Sequence, residues 1–173
     1  MASGDLLAKF FPSDGEPTST VYATPDTITG TSTPAEEILV LDFDDTTQEY
    51  MDFSDVMPPH YDGGGVTVTV FFSAAEAATD VVAWQAAFRR IADDAEDLDT
   101  TAHTYDFNEV VATAPSVVGE VAYDDITFTD GADMDSVAAG ELFRLRVTRD
   151  PTPSSGTDVT GDASIHAIVI KET

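Results

Sequence analysis

The chain has 173 residues, no cysteine, and 33 acidic against 7 basic side chains, a formal net charge of −26. Without cysteine there is no disulfide framework and no thiolate metal site, and without a basic stripe nothing neutralises nucleic-acid phosphates. A hydrophobic fraction of 42% is ordinary for a folded protein, so one domain with a real core is expected rather than a disordered acidic chain.

The acids are spread over the whole chain, and lysine is confined to Lys9 and Lys171. In dilute buffer such a shell of carboxylates repels itself. In molar salt the Debye length falls to about 3 Å and the repulsion is screened. The composition therefore reads as adaptation to high salt, against the plainer alternative of an acidic mesophilic protein. No apolar run is long enough to span a membrane. The N-terminus lacks the basic region and long apolar stretch of a secretory signal, so if the protein leaves the cell it does so by another route, of which release inside a particle is one.

Residues 1–35 read as an extended N-terminal arm. Leu6, Leu7, Phe10 and Phe11 form a small apolar knot, and Pro12, Pro17, Pro25 and Pro34 punctuate the rest of the segment. Proline at that density disfavours regular ladders. The arm is either a frayed terminus or a segment that docks on a neighbouring subunit through its knot.

Strands are expected from Glu36 onward, in a sandwich covering residues 36–173. Ile38 to Phe43 is an apolar run, and Glu49 to Val56 a second strand ending at Pro58-Pro59. Asp62-Gly63-Gly64-Gly65 is turn chemistry. Val66, Val68, Val70 and Phe72 then alternate with Thr67, Thr69, Phe71 and Ser73 in a period of two, the pattern of a strand with one buried face. Asp80 to Ile91 is ambiguous: Val81, Trp84, Phe88 and Ile91 fit a helix stripe, while Val82, Trp84, Ala86 and Phe88 fit a strand. Tyr105 to Thr113, Val121 to Thr129, Glu141 to Asp150 and Ala163 to Glu172 read as further strands. Eight short strands with turns between them point to an all-β, eight-stranded jelly-roll β-sandwich.

No catalytic constellation emerges. Asp93 to Asp99 and Asp130 to Asp135 are acid-rich loops without the spacing of a calcium-binding loop, and they read as solvated surface. His60, His103 and His166 lack metal-ligand spacing. No serine sits in a nucleophile elbow, and Gly63 to Gly65 precedes a strand rather than a helix. Neither a metal nor another cofactor is expected. Arg144, Arg146 and Arg149 concentrate three of seven basic residues in one strand. Arg144 and Arg146 share a face and can fork to carboxylates of a neighbouring strand or of a neighbouring subunit. Trp84 reads as core.

Four blocks together resemble a module of tailed-virus structural proteins. They are Leu41-Asp42-Phe43-Asp44-Asp45-Thr46-Thr47, Met57-Pro58-Pro59 with Tyr61-Asp62-Gly63-Gly64-Gly65-Val66, Asp80-Val81-Val82-Ala83-Trp84, and Ala139-Gly140-Glu141-Leu142-Phe143-Arg144-Leu145-Arg146-Val147-Thr148-Arg149-Asp150. The resemblance implies a jelly roll that decorates a virion, as a turret, spike or decoration protein on the head or as a fibre component, without catalytic residues. The extreme acidity and the N-terminal arm depart from that family and point to a virus of a salt-loving, halophilic host. It also implies that Asp80 to Ile91 is a strand. The expectation is thus a non-enzymatic virion protein that forms a homo-oligomer, a trimer ahead of a pentamer. It would dock on other capsid or tail proteins, with Leu6, Leu7, Phe10, Phe11, Arg144 and Arg146 as assembly residues and no nucleic-acid or membrane partner. The alternative is a carbohydrate-binding, lectin-like sandwich, because jelly rolls serve there too. A small secreted hydrolase is a third reading.

Overall fold

The computed structural model describes residues 4–76 and 79–173. Its strands are β1 (Leu6–Phe10), β2 (Glu16–Pro17), β3 (Thr24–Thr29), β4 (Glu37–Phe43), β5 (Tyr50–Val56), β6 (Val66–Ala74), β7 (Val81–Ile91), β8 (Asn108–Thr113), β9 (Ala122–Phe128), β10 (Leu142–Asp150) and β11 (Ala163–Glu172). One antiparallel sheet runs β3-β4-β11-β6-β9, with β1 also paired to β11; the other runs β2-β5-β10-β7-β8. From β4 onward the chain changes sheet at every connection except β7 to β8, which builds the two layers of a jelly-roll sandwich.

The eight expected strands are β4 to β11, and β7 is a strand over its full length. Its alternate residues Val82, Trp84, Ala86 and Phe88 are all buried. Tertiary packing overrides the helix propensity of its alanines, because a strand is needed to carry Trp84 into the centre. The Trp84 ring meets Phe43 at 5.3 Å and Phe72 at 5.7 Å, both from the opposite sheet. Phe88 and Phe128 close a similar edge-to-face pair across the layers at 5.0 Å. Such pairs add about 0.5–1.5 kcal/mol each beyond the area they bury.

β6 has the burial its alternation predicts, with Val66, Val68, Val70 and Phe72 all fully buried. The glycine run ahead of it does two different jobs. Gly63 takes a φ of +80°, and a Cβ on Gly65 would stand 2.5 Å from the Phe128 carbonyl oxygen. The first needs glycine for its backbone, the third for the close approach of β9.

The extended arm is corrected by the structure, its first three residues lying outside the described ones. Residues 6–29 supply three further strands, which raises the total to eleven among the described residues. β1 lies along the second half of β11, pairing Ala8 with Ile170 and Phe10 with Ile168, while β4 takes the first half through Ala163 to Ile165. The knot is split between core and surface. Leu7 and Phe10 are buried, with Phe10 against Phe53 at 5.3 Å and Phe143 at 6.5 Å, whereas Leu6 and Phe11 face solvent. Prolines do not prevent pairing because Pro17 and Pro25 sit on the edge strands β2 and β3, where an N–H can be spared.

Arg149 is also not where surface logic puts it. It has no exposed surface, since inward parity on β10 runs Phe143, Leu145, Val147, Arg149. The guanidinium donates to the carbonyls of Phe43, Val159 and Gly161 at 3.2, 2.6 and 2.8 Å and to Asp158 at 2.8 Å. It fastens the loop before β11 to the end of the sandwich.

Candidate ligand-binding cleft

The outward face of the five-stranded sheet carries a network of ion pairs. Strand parity puts Tyr50 and Asp52 of β5, Arg144 and Arg146 of β10, and Arg89 of β7 on one side. Register then decides the contacts. Arg146 stands opposite Asp52 across the β5–β10 pair, and Glu16 of β2 stands opposite Asp52 on its other flank. Arg144 stands opposite Arg89 across the β10–β7 pair. Like charges facing each other would be destabilising alone, so each arginine is matched by a carboxylate.

Asp52, nearly buried, is the hub. It accepts Arg146 Nε on Oδ1 at 2.7 Å, and Arg146 Nη2 on Oδ2 at 2.8 Å. Arg144 Nε reaches the same Oδ2 at 3.0 Å while its Nη2 donates to Glu16 at 2.6 Å. Arg89 gives both Nε and Nη2 to Glu96 Oε2, at 3.2 and 2.7 Å. Each of the three guanidinium groups has five N–H donors. Each spends Nε and Nη2 on carboxylates, and Arg89 also bonds to the Tyr105 side chain, so it is Arg144 and Arg146 whose Nη1 is uncommitted among the described residues.

Two tyrosines frame this network. The Arg146 guanidinium carbon lies 4.0 Å from the Tyr105 ring centre and 5.6 Å from that of Tyr50, a cation–π arrangement. Phe107 bridges the two tyrosines at 6.1 and 6.3 Å. Burial pushes the Tyr105 hydroxyl above its ordinary pKa, Asp52 adding to the rise and the arginines opposing it. The bond to Asp52 holds Arg146 still more firmly protonated. Together with Pro17, Thr18, Ser19 and Thr20 these groups line a cleft of about 480 Å³. Next to the rim residue Thr20, Val21 holds a φ of +58°, a conformation β-branched side chains avoid. The Val21 carbonyl accepts from the Tyr50 N–H at 3.1 Å, which locks that rim to β5.

Of the expected assembly residues, Arg144 and Arg146 lie in this cleft and close their forks on the chain's own Asp52 and Glu16. The other four are divided, Leu7 and Phe10 in the core and Leu6 and Phe11 on the surface. Sequence reasoning does not single out Tyr50, Asp52, Arg89 or Tyr105. Their signal is outward parity on strands flanking Arg144 and Arg146, readable only once the strand order is known.

The acid-rich loops behave as local scaffolding. Asp133 accepts from the Thr129 N–H at 2.6 Å and from Asn108 at 2.9 Å, Asp130 accepts from the Tyr61 hydroxyl at 3.2 Å, and Asp135 accepts from the Arg90 N–H at 2.8 Å. Asp44 caps its turn through Thr46 and Thr47, both at 2.7 Å, and those bonds hold its carboxyl below the usual range.

No protein-family model matches the sequence, and no curated protein matches it. Among solved structures the chain is similar to the N-terminal part of Clostridium thermocellum endo-1,4-β-D-xylanase 10B, CBM22-1 and GH10 modules complexed with xylohexaose. That likeness has a TM-score of 0.52 at 11% identity and covers 100% of this chain and 29% of that one. It is also similar to the Phanerochaete chrysosporium exo-β-1,3-galactanase solved with galactose, with a TM-score of 0.50 at 10% identity, covering 98% of this chain and 29% of that one. The chain therefore spans less than a third of either structure's length. At such low identity the likeness shows the fold, a jelly-roll β-sandwich.

Proposed function

We propose that the chain is a non-catalytic carbohydrate-binding β-sandwich whose ligand site is the cleft on the solvent face of the five-stranded sheet. One observation carries the reading: the Arg144 and Arg146 guanidinium groups, pre-oriented by carboxylates and each with an uncommitted Nη1 among the described residues, stand in a cleft that Tyr50, Tyr105 and Arg89 also line, with Arg146 over both tyrosine rings. A pyranose offers an apolar C–H face and a rim of hydroxyls. Aromatic faces take the first and planar, fixed donors take the second. The carboxylate partners matter because they order the arginines before the ligand arrives, which lowers the entropy cost of binding. A cleft of about 480 Å³ lies within the usual range for small-molecule sites. The fold is compatible, since the two similar structures come from enzymes described with a xylo-oligosaccharide and with galactose.

The anchor invoked for a virion role loses Leu7 and Phe10 to the chain's own core, and Arg144 and Arg146 to Asp52. Isothermal titration with soluble xylo- and galacto-oligosaccharides tests the carbohydrate reading. Tyr105→Ala is expected to abolish measurable binding, and Arg144→Ala to weaken it about tenfold, as loss of a charge-assisted hydrogen bond would.

A further inference from the structure

We propose that Glu96, His103 and Asp135 form a binding site for a divalent transition-metal ion of the zinc class. Glu96 and His103 belong to the connection between β7 and β8, and Asp135 to that between β9 and β10. The fold brings one ligand atom of each within 4.8 Å of the other two, all three residues being half-buried. His103 Nε2 stands 3.8 Å from Asp135 Oδ2. That is too long for a hydrogen bond, yet within the roughly 4 Å that two metal–ligand bonds of about 2.0–2.2 Å can bridge.

The three groups are already oriented by their neighbours, as metal ligands are by outer partners. Glu96 takes both Arg89 bonds on Oε2, which leaves Oε1 uncommitted among the described residues. Asp135 takes the Arg90 N–H on Oδ2, the oxygen that stands 3.8 Å from His103 and that has a second lone pair for an ion. The imidazole is held edge-on by Tyr105, with ring centres 4.8 Å apart. One imidazole and two carboxylates favour zinc-class ions, whereas calcium and magnesium prefer all-oxygen shells. Three protein ligands leave a fourth position for solvent. A bound ion would fasten the long connection that carries Tyr105 to the short turn at Ala132–Met134. This holds whatever the cleft binds.

The three histidines of the chain make the test selective. Imidazole resonances of the full-length protein are followed by NMR during titration with ZnCl₂. The His103 ring is expected to shift at one equivalent, with those of His60 and His166 unmoved, and CaCl₂ is expected to leave all three unchanged. His103→Ala, checked for folding by circular dichroism, is expected to lower Zn²⁺ affinity at least tenfold. No shift at His103, equal shifts at all three histidines, or unchanged affinity in folded His103→Ala would overturn the proposal. The NMR arm decides by itself should the variant not fold.

Discussion

Phe10 and Phe11 are adjacent aromatics that the structure treats in opposite ways, and substituting each in turn tests the placement of β1. Phe10 is 4% exposed and Phe11 47% exposed. The Phe10 ring fills the space between Phe53 and Phe143 of the opposite sheet, where collapse around a truncation is limited by strands on both sides. Phe10→Ala should therefore cost about 3–5 kcal/mol, the usual range for a fully buried phenylalanine. For a domain of this size that is a fall in Tm of about 6–20 °C. Phe11→Ala gives up only a half-exposed ring and a distant contact with Lys9 at 5.1 Å, so its cost should stay within about 0.5 kcal/mol. Differential scanning calorimetry of both variants against the parent, at one salt concentration, reads the difference. If the two variants melt together near the parent, β1 is a detachable arm and its place in the core is wrong.

Three further outcomes are expected from the same structure. Arg149→Met should destabilise by about 3–5 kcal/mol in chemical denaturation, since it leaves the half-buried Asp158 carboxylate and the Phe43, Val159 and Gly161 carbonyls without their donor; adding Asp158→Leu should recover part of the loss, and a neutral single variant would refute the fastening role. Burial pushes the carboxyls of Asp42, Glu49 and Asp162 above their ordinary values of 3.8, 4.5 and 3.8. Each then holds its proton more tightly folded than unfolded, so folding takes up protons and Tm should rise as the pH falls from neutral towards those values; Asp162→Asn should flatten that rise, and an unchanged pH profile would exclude the cluster as its source. With a net charge of −26 the compact state repels itself, and Tm should be higher in molar KCl than in 0.1 M buffer, equal midpoints refuting the high-salt reading.

How far these features are legible in the sequence depends on the distance over which each is determined. β6 and β10 announce themselves through strict alternation, a local property. β7 does not, because its alanines and Trp84 suit either period, and only the position of Trp84 between Phe43 and Phe72 makes the strand necessary. β1 is hidden for another reason. Its inward residues Leu7 and Phe10 are odd-spaced, reconciled by an irregularity in the pairing with β11 between Leu6 and Ala8, so the segment has the spacing of a helical turn. The cleft is the least local feature. Arg144 and Arg146 are conspicuous in an acidic chain, but Asp52, Arg89 and Tyr105 become their neighbours only through the order β5-β10-β7. His103 similarly meets Asp135 only through tertiary folding, which no spacing motif anticipates.

Carbohydrate binding in the cleft lined by Tyr50 and Tyr105 is the proposal on which the functional reading rests. The most direct measurement is a ¹H–¹⁵N correlation spectrum of the full chain recorded with increasing xylo- or galacto-oligosaccharide. Saturable shifts are expected, centred on Tyr50, Asp52, Arg89, Tyr105, Arg144 and Arg146 and absent in Tyr105→Ala. Saturable shifts confined to another surface, or none with either xylo- or galacto-oligosaccharides, would contradict that proposal.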